Sequence, residues 1–230
     1  VAEAKLRVAA VRYKVEGDRA EWRPLLTVNR DILIRTLALQ SVFFLMTVQG
    51  TRLGDATVAA NALLLNGLLL TAHALDGLAH AVEALCGHAI GARDALALRR
   101  SLWVAGGWAL LASLGFAGLF LFAGRWFVDL QTDIPAVRAI AHAHLAFLAA
   151  LPLLAVWSYL LDGLFIGATR AREMRDAMLL ALALAAPLAW LLHGLGNAGL
   201  WSAFLAFMAL RGLSLGASAW RIARRGGWSA

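Results

Sequence analysis

Six stretches of this chain are each apolar for the length of a bilayer crossing. They run at about residues 32–51, 57–82, 101–123, 139–166, 177–194 and 197–220. A helix needs roughly 20 apolar residues to span the hydrocarbon. Inside a bilayer every backbone polar group must pair within the protein, so such runs are helices or closed-barrel strands. None of them alternates with the two-residue period of a strand. Composition points the same way: 61% of the 230 residues are hydrophobic and 15% charged, against about 25% charged in a soluble domain. The expected fold is all-α and integral to the membrane, a six-helix unit over 31–222. Residues 1–30 read as a cytoplasmic lead-in, amphipathic or plainly solvated, and 223–230 as a cytoplasmic tail. The single cysteine, Cys86, excludes an internal disulfide framework.

The net charge of +7 would suit nucleic acid if it were gathered on one soluble face. It is distributed by topology instead. Seventeen of the 21 Lys and Arg fall in the lead-in up to Arg35, in the second-to-third connection (Arg93, Arg99, Arg100), in the fourth-to-fifth (Arg170, Arg172, Arg175) and in the tail. The alternate loops hold only Arg52, Arg125 and Arg138. Basic residues collect on the cytoplasmic side of a membrane. Both ends of the chain are therefore expected inside, on a multi-pass protein of a bacterial-type inner membrane, with the bilayer rather than nucleic acid as its surroundings.

The tetrapeptide LDGL occurs twice, at Leu75–Leu78 and Leu161–Leu164, deep in the second and fourth runs. Around the first copy, Asn66, His73, Asp76, His80 and Glu83 recur at helical spacing and share one face. The fourth run carries Trp157, Tyr159 and Asp162, with Pro152 upstream as the expected kink, and the sixth carries Arg211. An intramembrane charge costs about 2.5–3.5 kcal/mol on insertion scales and faces a partner or water. Two readings stand. Arg211 pairs with Asp76 or Asp162 as structural glue, or the carboxylates bind a proton or cation, with His73, His80 and Glu83 as relay groups. Each aspartate is expected to point into the interior of the unit, and each following glycine to let a neighbouring helix approach. HAVE at His80–Glu83 with His88 is no zinc-hydrolase signature, and no nucleophile elbow or phosphate-binding loop is present. An enzyme is not expected, nor a metal or organic cofactor.

Four segments together resemble the DinF-type branch of the MATE (multidrug and toxic compound extrusion) transporters. They are VNRDILIRTLALQ, LDGLAHAVEALCGHAIGARD, YLLDGLFIGATRAREMRD and ALRGLSL, and the likeness spans about residues 22–222. The resemblance implies the second lobe of a twelve-helix antiporter, partnered by an N-terminal six-helix lobe of the same protein. Such transporters export amphipathic, often cationic compounds in exchange for protons or sodium. Sodium-type members carry acids in the seventh and tenth helices. Here the seventh-like run has Gln40 and no central carboxylate, and Asp162 stands closer to GATR than in that pattern, so H+ is the expected coupling ion and Na+ the alternative. The resemblance offers Asp76, Asp162, Glu83, His73 and His80 as ion or substrate groups. Asn66, Gln40, Met46, Trp157, Tyr159 and Arg211 are the cavity-lining residues. Two rivals remain: a lipid-linked oligosaccharide flippase, which needs basic residues for pyrophosphate, and a non-transporting half-size membrane protein.

Overall fold

The computed structural model describes residues 19–228, which form helices and the short turns between them. Leucine and alanine, strong helix formers, fill the long runs. The order is α1 (Arg19–Thr51), α2 (Asp55–Gly91), α3 (Ala95–Asp129), α4 (Pro135–Ala143), α5 (Leu145–Gly167), α6 (Ala171–Leu192), a 3₁₀ turn (His193–Leu195) and α7 (Gly196–Arg224). α1, α2, α3 and α5 are long and apolar enough to cross a bilayer. So is the stretch Ala171–Arg224, which runs as α6 and α7 back to back. With α4 and α5 taken as one broken passage, the chain makes six helical passages. α1 begins inside the segment expected as a lead-in. Residues 1–18, where an amphipathic surface helix was one expectation, lie outside the described residues.

The break in the fourth passage is not at Pro152. It falls roughly two turns earlier, at His144 (φ −110°, ψ 6°), which separates α4 from α5. There the imidazole Nδ1 is 2.8 Å from the Ile140 carbonyl oxygen and satisfies one of the groups that a helix end leaves open. Pro152 remains inside α5 and is buried. It removes a backbone donor, yet α5 is packed by α2, α3 and α7, and that enclosure holds the helix through it.

α2 and α5 end in the same turn. Ala92, Arg93 and Asp94 donate to the carbonyls of His88, Ile90 and Ala89; Ala168, Thr169 and Arg170 donate to those of Leu164, Ile166 and Phe165. This is a Schellman-type stop with one left-handed residue, here Arg93 and Thr169, both at φ 55°. α7 closes similarly around Gly226 (φ 64°). All three stops lie at one end of the bundle, the basic end. At the opposite end, Gly54 (φ 105°) and Gly196 (φ 60°) make the turns into α2 and α7.

α2 and α5 run parallel and touch through their backbones. A methyl on Gly163 would strike the Ala79 carbonyl, and one on Gly167 would lie 3.0 Å from the Gly87 nitrogen and against the Glu83 carbonyl. Small residues four apart allow such contact in membranes. The register sets Ala79 beside Gly163 and Glu83 beside Gly167. Asp76 and Asp162 therefore lie at nearly one depth, separated by about 3 Å along the axes at 1.5 Å per residue. Around this crossing, Leu75, Val82, Cys86, Leu160 and Leu164 pack one core cluster. Leu64, Phe120, Leu148, Trp201 and Phe204 belong to another, nearer the opposite end.

Candidate functional site

Three helices bring one buried ion cluster together. Asp162 of α5 accepts at Oδ2 from the Nη2 groups of both Arg35 on α1 and Arg211 on α7. Arg211 is 2% exposed and Asp162 5%. Tyr159, one turn back along α5, sits with its ring centroid 5.9 Å from the Arg211 guanidinium carbon, where a ring face attracts a cation. One oxygen carries both bonds. Asp162 Oδ1 and the Nε of each arginine have no hydrogen-bond partner among the described residues. One carboxylate against two guanidiniums leaves a net positive charge in a medium where uncompensated charge is expensive. Asp76 lies within electrostatic reach of both Asp162 and Arg35. With it included, two carboxylates and two guanidiniums make a neutral group.

Asp76 nevertheless does not point into the bundle. The buried face of α2 is built from Leu64, Leu68, Thr71, Leu75, Ala79 and Val82. Asn66, His73, Asp76, Gly77 and His80 are exposed on the surface of this six-helix unit, with Glu83 half-buried. The expectation that both aspartates face the interior is thus corrected: Asp162 does and Asp76 does not. The same holds for the glycines. Gly163 admits the α2 backbone, whereas a methyl on Gly77 would meet open space. Sequence periodicity finds the polar face of α2 but not its direction, because an amphipathic helix in lipid can turn that face to either side.

The stripe is held locally. His73 Nδ1 lies 2.6 Å from the Leu69 carbonyl oxygen, His80 Nδ1 lies 3.3 Å from Glu83 Oε2, and Asn66 donates to Gln131 Oε1 at 3.0 Å. Gln40 is exposed on α1 and Trp157 is exposed on α5. Met46 is buried, beside Asn61 in a small cavity at the opposite end, away from the ion cluster. Of the two pairings open to Arg211, the structure makes the one with Asp162.

Two further polar contacts were not legible in the sequence. Asp31 of α1 is buried and accepts from Arg175 Nη1 of α6 at 2.7 Å, with Arg30 beside it. Asn61 and Asn197 exchange amide hydrogen bonds of 2.8 and 3.0 Å, and Trp201 donates to Asn61 Oδ1 at 2.9 Å, joining α2 to α7. Asn61 gave one signal: it falls in the apolar stripe of α2. Asp31 gave none, since it borders a charged segment. Among the described residues no group of three or more His, Cys, Asp and Glu is arranged as a metal site.

A model of the MatE family matches residues 32–191. The chain is 45% identical over 212 residues, 92% of its length, to the DNA damage-inducible protein F of Escherichia coli (strain K12), and covers 46% of that protein. It is 31% identical over 204 residues, 82% of its length, to the probable multidrug resistance protein NorM of Pseudomonas aeruginosa, and covers 41% of it. The chain thus spans somewhat under half the length of these curated relatives. A multi-pass helical bundle, a family model over most of it and a relative at this identity together place the chain in the MatE family of membrane transporters, which are not enzymes.

Proposed function

We propose that this chain is one lobe of a two-lobe antiporter that exports amphipathic, cationic compounds in exchange for protons by alternating access. The observation that carries this reading is the uncovered stripe on α2. Ionisable groups at bilayer depth do not stay in contact with lipid, and no described residue covers Asp76, His73 or His80. A water-filled cleft against a second lobe accounts for them, and the length of the relatives leaves room for one. Both ends of the chain are cytoplasmic in this reading, in an inner membrane, with the Schellman turns facing inward.

The charge count suggests how coupling works. With Asp76 ionised, the group Asp76, Asp162, Arg35 and Arg211 is neutral and an exposed carboxylate is free for a cation. A proton on Asp76 gives the group one net positive charge, which repels that cation. Proton entry from outside therefore releases the drug, and proton loss to the cytoplasm restores the site. Asp162 is proposed as the anchor that keeps two arginines beside the cleft, and not as the exchanging group. His73, His80 and Glu83 would relay the proton along α2, and Trp157 and Tyr159 would supply apolar wall. A flippase needs free cations for pyrophosphate; here Arg35 and Arg211 are already bound to Asp162.

The test uses everted membrane vesicles holding the intact transporter, energised by a proton gradient. Asp76→Asn is expected to lower drug-induced proton release at least tenfold with membrane insertion unchanged. Wild-type proton release in that variant would refute the role of Asp76. Transport that survives collapse of the proton gradient but stops without sodium would make Na+ the coupling ion.

A further inference from the structure

Among the described residues, one cavity lies well away from the ion cluster. It is a groove of about 370 Å³ at the basic end, between the end of α2, the start of α3 and the close of α7. Its walls are apolar, with Ile90, Leu98, Leu102 and Trp103 on α2 and α3. Trp228, beyond α7, forms another wall, and is itself held by Phe165 at 5.7 Å and by the Arg170 guanidinium at 5.5 Å. Arg93 and Arg99 stand at the rim. Both are exposed, and neither makes an ion pair or side-chain hydrogen bond with any described residue. The neighbouring carboxylate, Asp94, is engaged elsewhere: it accepts from the Ala97 N–H at 2.8 Å and caps α3.

We infer that this groove binds an anionic phospholipid of the inner leaflet, its phosphate held by Arg93 and Arg99 and one acyl chain laid along Leu98, Leu102 and Trp103. Three features select that occupant. The two guanidiniums want an anion, and Arg is the side chain best matched to phosphate oxygens. The walls below them want hydrocarbon, which a free phosphate lacks. Trp103 is 73% exposed beside the groove, and exposed Trp collects at the membrane–water interface. Basic pockets between helices on the cytoplasmic side suit anionic headgroups. Residues 1–18 of the chain fit less well, because they carry four basic and three acidic residues and would bring net positive charge to two arginines. This site is separate from the α2 stripe; it rests on the orientation proposed above and not on the transport chemistry.

The intact protein in detergent is offered equimolar phosphatidylglycerol and phosphatidylcholine, and retained lipid is read by native mass spectrometry. Phosphatidylglycerol is expected to be retained at least fivefold over phosphatidylcholine. The double variant Arg93→Gln/Arg99→Gln loses that preference, and Arg93→Lys/Arg99→Lys keeps most of it, which separates loss of charge from loss of fold. The control Arg100→Gln/Arg221→Gln, outside the groove, keeps it in full. Equal loss in the control would mean a diffuse basic surface and overturn the site. So would unchanged preference in the first double variant, displacement of the lipid by millimolar inorganic phosphate, or a stronger preference after removal of residues 1–18.

Discussion

At the scale of single residues, the two aspartates of the repeated tetrapeptide do opposite work. Asp162 is enclosed with two arginines that pair with no other carboxylate among the described residues. Removing one member of a buried charge group costs about 3–5 kcal/mol, because the others are left uncompensated. Asp162→Asn is therefore expected to lower unfolding free energy in detergent by that amount, measured by denaturant titration. Asp76→Asn, on an exposed face where water screens its part in balancing the cluster, is expected to cost less than about 1 kcal/mol while losing transport. Equal destabilisation by the two would mean that Asp76 is also structural. The sequence made these residues look alike. The same tetrapeptide surrounds both, but which way each faces is decided by Gly163 and Gly167 meeting the α2 backbone, a contact between segments far apart in the chain. Arg35 was similarly hidden. It reads as the last residue of the basic lead-in, at the start of the first run, and only the folded arrangement, which carries its guanidinium to Asp162 of α5, makes it a partner.

Elements were more legible than contacts. Six apolar runs become six helical passages, since hydropathy and length report directly on the solvent a helix can tolerate. Two local details escaped. His144, not Pro152, divides the fourth passage, because enclosure of α5 outweighs one lost donor. In the turns at GARD and GATR the left-handed residue is Arg93 or Thr169, not a glycine. A β-branched side chain at φ 55° is strained, so Thr169→Gly is expected to raise stability by about 1 kcal/mol; a fall would show that Thr169 Oγ1, bonded to the Ala168 carbonyl at 2.7 Å, outweighs the strain. The α2–α5 crossing gives a sharper contrast. Gly163→Ala drives a methyl into the Ala79 carbonyl, which belongs to backbone and cannot rotate away, and overpacking of this kind costs about 1–3 kcal/mol. Gly77→Ala meets open space and gains helix propensity of about 1 kcal/mol. Paired thermal melts of these variants distinguish a crossing held by close approach from one held by side chains alone.

For the whole molecule, exposure on this helical bundle has two different meanings. Phe122 on α3 is 87% exposed and apolar, as a lipid-facing residue is. Gly77 on α2 is also exposed, but it sits between Asp76 and His80 on the charged stripe. On the proposed function, the two positions separate lipid from cleft. Cys86 is buried and stays unreactive, so it can remain while other cysteines of the intact transporter are replaced. The single variants Gly77→Cys and Phe122→Cys are then challenged in sealed vesicles with a membrane-impermeant maleimide. The thiol of Gly77→Cys is expected to label, at a rate that changes when substrate is added, since a rocking lobe opens and closes the cleft around it. The thiol of Phe122→Cys is expected to stay unlabelled in hydrocarbon whatever the substrate. If the first variant were as inert as the second, the stripe would lie against lipid or a permanently packed surface. Asp76 would then have no route for a proton or a drug, and the lobe would have no working face.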